Sequence, residues 1–167
     1  MSHALDRGQA FCHNRPLGIL WRSTRGGVQY FIDGYNVLHR MQKLDTHNLQ
    51  VARETLRTRL MLFCEGKHRI RLVWDSGDRD PRVGSIKRFR AVYEVYAQNA
   101  DEYLVQSVRR EAKGQTITVV TNDREIIGRC KKLGAVTMSS DDFLALLDDE
   151  GDDFPGYPGE PWEKYFP

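Results

Sequence analysis

Short β-rich segments alternate with segments of helical periodicity from Val28 onward, and this alternation constrains the fold more than any other feature. The predicted strands are VQYFID, RIRLVWD, AVYEVYA, TITVVT and AVTM. The predicted helices are NLQVARETLRTRLMLFCEGK, NADEYLVQSVRREAKG, NDREIIGRCKKLG and SSDDFLALLDDE, the first two ending at Gly66 and Gly114. Such alternation is typical of a parallel sheet with helices on both faces. We therefore expect an α/β fold with three layers, α/β/α, around a central parallel sheet.

Composition divides the chain into three parts. We expect residues 28–147 to form the folded domain, with a disordered leader over 1–27 and an acidic, Pro/Gly-rich and aromatic tail over 148–167. A nucleic-acid-binding arm is the alternative for the leader, which carries four arginines. The RGG sequence directly before Val28 could also be the translation of a ribosome-binding site in the messenger RNA. Val28 would then be encoded by the true start codon.

The net charge of +2 hides an uneven distribution of charge along the chain. The tail carries seven acidic residues and one lysine, a net charge of −6, so the preceding residues carry +8. A basic body of this kind favours a polyanionic partner.

The cysteines and the hydropathy of the chain indicate the cellular compartment of the protein. Cys12, Cys64 and Cys130 match no disulfide or zinc spacing, and we expect them to be reduced thiols in or near the core. No apolar run is long enough for a transmembrane helix or a signal peptide. The sequence thus predicts a cytoplasmic protein without a membrane partner.

Four predicted strands lead into an aspartate. Asp33 and Asp75 end the first two strands, whereas Asp101 and Asp123 follow AVYEVYA and TITVVT. The carboxyl ends of parallel strands lie on one edge of the sheet, where ligands bind. We therefore expect the four carboxylates to converge in space.

Each aspartate also has a local explanation. Asp33 precedes a glycine and could form a turn, as could Asp75. The spacing of Asn99 before Glu102, and of Asn122 before Glu125, matches a helix N-cap followed by an acid, which would place Asp101 and Asp123 in first helical turns. These local roles do not explain why all four acids fall on the same edge, so the joint pattern favours a functional site.

A cluster of carboxylates requires compensation of its negative charge. Without it, some carboxylates would take up protons, and the usual compensation is a hard divalent cation. Ligands that are all oxygen atoms indicate Mg²⁺ or Mn²⁺ rather than zinc. Such an ion binds phosphate oxygens and activates water for attack on phosphorus. Asn36, three residues after Asp33, could orient a metal-bound water, a carboxylate or a phosphate.

The segments FIDGYNVLH, RLVWDSG, VYEVYAQNADEYL and VVTNDREI resemble, in this order, the YacP-like branch of the NYN domains, within the PIN-like nuclease superfamily. The resemblance covers about Val28 to Leu147. It implies a PIN-like α/β/α sandwich and metal-dependent cleavage of RNA. The family's acidic residues correspond to Asp33, Asp75, Asp101 and Asp123, and its motif asparagine corresponds to Asn36.

Two positions depart from the family pattern. The third acid often follows Thr-Ala or Ser-Ala, but here it follows Asn99-Ala100. The fourth block often reads Thr-Ser-Asp, whereas here Asn122 stands at its centre. Both changes remove hydroxyls that could touch a metal-bound water or a phosphate, and both are expected to keep a side chain that caps a helix.

Substrate-binding residues are expected near the acidic edge. The segment DSGDRDPRVGSIKRFR is predicted to be a basic loop that contacts phosphates, although a solvated surface loop explains it equally well. Tyr35 could stack on a base or pack against the first predicted helix, and His39 is a weak candidate for a general base. The predicted substrate-binding residues are Tyr35, Arg79, Arg82, Lys87, Arg88 and Arg124.

The sequence thus predicts a metal-dependent endoribonuclease acting on single-stranded RNA. The alternative is a weakly active or inactive RNA-binding module of the same fold that associates with the ribosome. A phosphohydrolase with an aspartyl nucleophile is disfavoured, because Tyr35 occupies the second acidic position of the D-x-D pattern. A dinucleotide-binding protein is also disfavoured, because no G-x-G-x-x-G follows the first strand.

Overall fold

A computed structural model describes residues 27–41, 49–64, 67–112 and 115–151 of the chain. Residues 1–26 of the leader, all of the tail beyond residue 151, and both predicted helix-ending glycines, Gly66 and Gly114, lie outside these ranges. The elements in chain order are β1 (Gln29–Asp33), α1 (Gly34–Arg40), α2 (Leu49–Cys64), β2 (Arg69–Asp75), β3 (Ile86–Phe89), β4 (Val92–Ala97), α3 (Ala100–Glu111), β5 (Ile117–Val120), α4 (Arg124–Lys132), β6 (Val136–Met138) and α5 (Ser140–Gly151).

The strands form one six-stranded sheet in the order β3-β4-β2-β1-β5-β6. All neighbouring strands are parallel except β3, which pairs antiparallel with β4. The chain moves outward from β1 to β2 and β4, and α3 then returns it to β5 on the other side of β1. The strand order therefore reverses around β1, and the carboxyl ends of β1 and β5 flank the reversal point, where α/β folds bind ligands. The predicted α/β fold is confirmed.

β3 lies within the segment that was predicted to be a loop, so that prediction was wrong for Ile86–Phe89. The sequence IKRF did not indicate a strand, because most of its side chains are exposed and two are charged. Charged residues are typical of edge strands, where they prevent pairing with other chains. A two-residue connection joins β3 to β4, and Arg90 in this connection has a φ of 54°, in the left-handed region.

α1 was also missed, because its first residues read as an Asp-Gly turn. Asp33 is instead the N-cap of α1, and its side chain accepts a hydrogen bond from the backbone N–H of Asn36. A Cβ atom on Gly34 would lie 2.5 Å from the ring of Trp74. The glycine is therefore needed because α1 approaches β2 closely at this point.

Two apolar layers cover the sheet. α1, α2 and α5 pack on the face that carries Tyr30, Ile32 and Trp74, whereas α3 and α4 pack on the face that carries Phe31 and Val73. Trp74 is fully buried, as expected for a core residue. Successive side chains of a strand point to opposite faces. Asp33 and Asp75 consequently share the α3/α4 face with Phe31 and Val73.

Cys64 and Cys130 are buried free thiols, as expected, and Cys12 lies outside the described residues. Burial raises the pKa of Cys64 to about 12 and raises that of Cys130 as well. None of the helices in the described ranges is long and apolar enough to cross a membrane. α5 continues to Gly151, so the first residues assigned to the tail extend a helix.

One carboxylate is fully buried beneath α2. Glu94 of β4 accepts hydrogen bonds from Arg57 Nε at 2.8 Å and from the Tyr96 hydroxyl at 3.2 Å. The guanidinium of Arg57 also lies 4.3 Å from the centre of the Phe89 ring. Arg57 therefore connects α2 to β4 and to the edge strand β3.

We predict that Arg57→Met destabilises the protein by about 3 kcal/mol, because the substitution leaves a buried carboxylate without its cation. Urea unfolding at pH 7 measures this effect. The matched control is the double variant Arg57→Met/Glu94→Gln, which removes both charges and should recover much of the loss. A loss below about 1 kcal/mol in the single variant, typical of an exposed ion pair, would contradict this account.

Candidate active site at the carboxyl edge of the sheet

Asp33 is the most buried of the four predicted acids, with 9% of its surface exposed. Its Oδ1 accepts a hydrogen bond from the Asn36 N–H at 3.1 Å, and its Oδ2 accepts one from the Thr121 hydroxyl at 3.4 Å. Burial raises its pKa, and the charge of Asp75 raises it further, whereas these hydrogen bonds lower it. Asp33 is thus held in place between the ends of β1 and β5.

Asp123 follows β5 and is the N-cap of α4. Its Oδ1 accepts hydrogen bonds from the N–H groups of Glu125 at 2.7 Å and Ile126 at 3.2 Å. The expectation that Asn122 caps this helix was therefore wrong. The Thr121 hydroxyl accepts a hydrogen bond from the Asp123 N–H at 3.2 Å, so one side chain connects Asp33 with the backbone of Asp123.

Asp101 lies in the first turn of α3, directly after β4. Asn99 is the N-cap of this helix and accepts a hydrogen bond from the Glu102 N–H at 2.9 Å, as predicted. Partial burial raises the pKa of Asp101. The negative charges of Asp33, Asp123, Asp75 and Glu125 raise it further, in that order. Asp101 therefore experiences the charges of all three other predicted acids.

Asp75 ends β2 and is exposed to solvent. Its Oδ1 accepts a hydrogen bond from the Gly77 N–H at 3.2 Å, and Gly77 has a φ of 59°. This turn directs the chain away from the sheet after Ser76, whose N–H still donates to the Ala97 carbonyl at 2.9 Å. Asp75 has a local turn role, and it still lies on the edge shared with the other acids.

A cleft of about 160 Å³ opens between the N-terminal ends of α3 and α4. Its walls include Asp101 and Asp123, together with three charged residues that sequence analysis did not propose for the site: Glu102, Glu125 and Arg129. Arg129 Nη2 lies 2.7 Å from Glu102, and its Nη1 lies 4.0 Å from Glu125. The two glutamates read as helix-capping acids in the sequence. The spacing of Glu125 and Arg129, four residues apart in a predicted helix, is the sequence signal that could have identified Arg129. Its contact with Glu102 arises only through the packing of two helices.

The side chains at this edge that could hold a metal are carboxylates. This donor set fits a hard divalent cation. In the described ranges, however, no three His, Cys, Asp or Glu side chains lie close enough together to form a metal site. The four aspartates repel one another at this edge without forming a complete coordination sphere.

Asn36 connects three segments of the carboxyl edge. Its Oδ1 accepts hydrogen bonds from the Asn122 N–H at 3.1 Å and from the Ser140 hydroxyl at 3.2 Å. Asn122 accepts a hydrogen bond from the Ser140 N–H at 2.9 Å and donates one to Asp141 at 3.3 Å. The carbonyl of Asn36 therefore positions the loop that precedes Asp123. The expected role of Asn36 in orienting a metal-bound water, a carboxylate or a phosphate stays a prediction.

The ring of Tyr35 packs edge-to-face on Trp74, with 5.4 Å between ring centres. Its hydroxyl accepts a hydrogen bond from Arg53 of α2. This arrangement matches the packing alternative for Tyr35. His39, near the end of α1, is exposed.

The predicted basic residues fall into separate groups. Arg82 forms a two-pronged ion pair with Asp80, at 2.9 and 2.7 Å, and lies over the ring of Tyr96. This pairing lowers the pKa of Asp80 to about 2. Lys87 also lies over Tyr96, at 5.7 Å. The register places it opposite Glu94, on the α2 face of the sheet.

Arg88 lies on the other face, with the acids. It pairs with Tyr93 across the β3–β4 ladder, and its guanidinium is 5.6 Å from the centre of that ring. Arg79 and Arg124 are both exposed, and Arg124 directly follows Asp123 at the start of α4. Arg88 and Arg124 are therefore the predicted cations that accompany the carboxylates on this side of the molecule.

Comparison with solved structures finds the same fold in Rae1 (YacP) from Bacillus subtilis. The chain is 18% identical to Rae1, with a TM-score of 0.59, over 74% of this chain and 75% of the other. For a mutant of Rae1 the identity is 17% and the TM-score 0.61, over 74% and 76% of the two chains. No curated protein matches the chain.

The family comparison agrees with the order of the sequence blocks and with the fold. The family model that describes the YacP-like NYN domain, a nuclease-type fold related to RNA, matches residues 30–154. This match extends from β1 past the end of α5 and includes the four aspartates. The chain therefore belongs to the YacP-like NYN domain family.

Proposed function

We propose that this protein is a cytoplasmic, metal-dependent endoribonuclease that hydrolyses phosphodiester bonds of single-stranded RNA. The observation that carries the proposal is the convergence of four aspartates from four strand ends on one edge of the sheet. The negative charges of Asp33, Asp75 and Asp123 all raise the pKa of Asp101. A site that gathers this much negative charge suits a divalent cation better than an anionic substrate alone.

Asp33, Asp75, Asp101 and Asp123 would hold Mg²⁺ or Mn²⁺. When bound, such an ion lowers the pKa of a water and neutralises charge on the phosphate. Asp33 would provide the most fixed ligand, because Asn36 and Thr121 hold both of its oxygens. Asp123 uses its Oδ1 to cap α4, which leaves its Oδ2 available to a cation. As in the PIN-like superfamily, the products would carry 5′-phosphate and 3′-hydroxyl ends.

The basic and aromatic residues support a single-stranded nucleic acid as the substrate. Arg88 and Tyr93 lie on the same face as the acids. Arg79 and Arg124 are exposed, and they lie close in sequence to Asp75 and Asp123, respectively. Arginines bind the phosphates of any sequence, and aromatic rings near them can stack on unpaired bases. The choice of RNA over DNA rests on the family.

A second candidate is an RNA-binding module that associates with the ribosome and cleaves weakly or not at all. It is favoured by the absence of a ready metal-binding group among the described side chains. Asn99 and Asn122 also occupy positions where the family often has hydroxyl residues. Their side chains bind backbone N–H groups of Glu102 and Ser140.

We predict that the protein cuts end-labelled single-stranded RNA with Mn²⁺ or Mg²⁺ and not with EDTA. Asp33→Asn and Asp123→Asn should each lower the cleavage rate at least about a hundredfold, because even residues behind metal ligands can contribute that much. Gel analysis of the products measures the rate, with the matching DNA run beside the RNA. Asp149→Asn, an exposed acid near the end of α5, is the matched control and should cleave normally.

Two outcomes of this experiment would overturn the nuclease proposal. RNA binding without cleavage in any metal would favour the RNA-binding module. Cleavage that survives both substitutions would show that the active site lies elsewhere or that the activity belongs to a contaminant.

The repulsion at Asp101 predicts a stability effect that does not depend on activity. Its folded-state pKa is raised, so its contribution to stability is fully present below the unfolded pKa and is lost as pH rises through the folded pKa. The repulsion is therefore greater at pH 7 than at pH 4. Asp101→Asn should therefore raise the melting temperature of the metal-free protein by a few degrees at pH 7, and by less at pH 4.

Thermal unfolding in EDTA, followed by circular dichroism, measures this difference. Mn²⁺ should raise the melting temperature of the wild type more than that of Asp101→Asn, because the variant has lost one ligand. Asp149→Asn again serves as the control. A variant that melts below the wild type at pH 7 would show that the carboxylates do not repel one another as described.

A further inference from the structure

Arg53 is a buried cation on α2 beside the acidic edge. Only 5% of its surface is exposed, and its guanidinium lies 5.2 Å from the centre of the Tyr35 ring and 5.0 Å from that of Trp74. Its Nη2 donates to the Tyr35 hydroxyl, whereas its Nε is buried and has no acceptor. Contact with the two rings offsets part of the cost of burying the charge.

No carboxylate in the described part of the chain forms an ion pair with Arg53. Asp80 is close enough for the charge of Arg53 to lower its pKa, but both Asp80 oxygens bind Arg82. Burying a cation without a counter-ion is costly, and native proteins rarely leave such a group unpaired. Arg53 therefore lies close to Asp80 but has no ion pair in the described part of the chain.

Three further buried groups have no hydrogen-bond partner: Trp74 Nε1, whose ring lies 5.0 Å from the Arg53 guanidinium, Ser76 Oγ and Ser85 Oγ. Trp74 pairs with Tyr96 in the sheet, and Ser76 continues the same strand two residues later, so Trp74 and Ser76 lie on one face. The backbones of Ser85 and Tyr96 are joined by a hydrogen bond of 3.1 Å, which places Ser85 on that face too. This is the face against which α2 packs.

Each of these groups can donate a hydrogen bond. An indole N–H and a guanidinium N–H can only donate, and a serine hydroxyl can donate as well as accept. A positive charge accompanied by an indole N–H and two hydroxyls that can donate is an environment that suits a phosphate group. We propose that Arg53, Trp74, Ser76 and Ser85 form a site for a phosphate group.

The position of the site indicates which phosphate it takes, and this step rests on the proposed function. Trp74 in β2 and Ser76 directly after it flank Asp75 and project to the opposite face of the sheet. An RNA strand that crosses the edge at Asp75 would place one phosphate at the acids and a neighbouring phosphate at Arg53. A terminal phosphate of the strand has the same chemistry and is the other source.

Entry to this site requires movement of residues 77–84, the segment between the two serines. Arg82 of this segment lies 4.6 Å from the centre of the Tyr96 ring and covers this face. Gly77 and Gly84 near its two ends have φ values of 59° and 80°, and no atoms crowd the space beside them. Rotation at these two glycines can open the segment at low steric cost. A buried water is the alternative occupant, and it would satisfy the same donors.

The indole N–H of Trp74 reports directly on the site in a ¹H–¹⁵N spectrum of the full chain. The chain has three tryptophans, and Trp21→Phe and Trp162→Phe assign the other two signals. Inorganic phosphate is added to the metal-free protein, with chloride as the control at matched ionic strength. We expect a saturable shift of the Trp74 signal with phosphate, and at least a tenfold weaker phosphate affinity in Arg53→Gln.

Two further variants keep this test decisive. Arg59→Gln, on the same helix, should bind phosphate as the wild type does. Ser85→Ala removes one donor without removing the buried charge, so a weakened affinity in this variant supports the proposal even if Arg53→Gln fails to fold. Absence of a saturable shift in the wild type, or unchanged affinity in folded Arg53→Gln, would overturn the site and assign the donors to water.

RNA binding in EDTA identifies the source of the phosphate. Affinities of wild type and Arg53→Gln are compared for one oligonucleotide with a 5′-hydroxyl and the same one with a 5′-phosphate. A tenfold loss with both supports an internal phosphate, and a loss confined to the 5′-phosphorylated strand supports a terminal one. No loss with either would overturn a role for the site in RNA binding.

These results are separable from the proposed nuclease activity. Asp33→Asn should leave the phosphate-induced shift of Trp74 unchanged, because the acids lie on the opposite face. If phosphate shifts the Trp74 signal of the wild type but the protein cuts no RNA, the phosphate site is supported and the nuclease proposal is overturned. If the protein cuts RNA but phosphate does not shift the Trp74 signal, the nuclease proposal is supported and the phosphate site is overturned.

Discussion

The side-chain carbonyl of Asn36 holds the carboxyl edge of the sheet together. Two donors meet at this one oxygen: the Asn122 N–H, in the loop after β5, and the Ser140 hydroxyl, at the start of α5. The backbone N–H of Asn36 at the same time donates to Asp33. One asparagine thus fixes the first acid and the loop that carries the fourth. The geometry of the acidic edge depends on this contact, because Asp33 and Asp123 belong to two different strand ends, those of β1 and β5.

Gathering negative charge at this edge has a cost, and the fold limits it locally. Asp123 caps α4 and Asp101 lies in the first turn of α3, where the positive end of each helix dipole stabilises a carboxylate. Arg129 neutralises part of the charge of Glu102 and Glu125 at the rim of the cleft. Asp33 is the N-cap of α1, but its burial raises its pKa. The remaining repulsion is what a bound cation would relieve.

The sequence predicts the strands and the convergence of the acids because both follow from local periodicity and the geometry of parallel sheets. It does not predict β3, since an edge strand with exposed cations lacks the apolar alternation that marks buried strands. It also reads α1 as a turn, because the role of Gly34 is visible only once Trp74 packs against it. The capping of α4 by Asp123 instead of Asn122 depends on Ser140, which is distant in sequence. Contacts of this kind arise only after the elements pack.

The alternation of side chains along β2 connects the two halves of the edge. Asp75 projects to the α3/α4 face, whereas Trp74 and Ser76 on either side of it project to the α2 face. Acidic groups and unpartnered donors are therefore separated by the thickness of one strand, although they are neighbours in sequence. A cation and a phosphate could then bind next to each other without competing for the same side chains. A shift of one residue in the register of β2 would exchange the two faces and abolish both environments, so the pairing of β2 with β1 and β4 determines the chemistry of the edge as well as its shape.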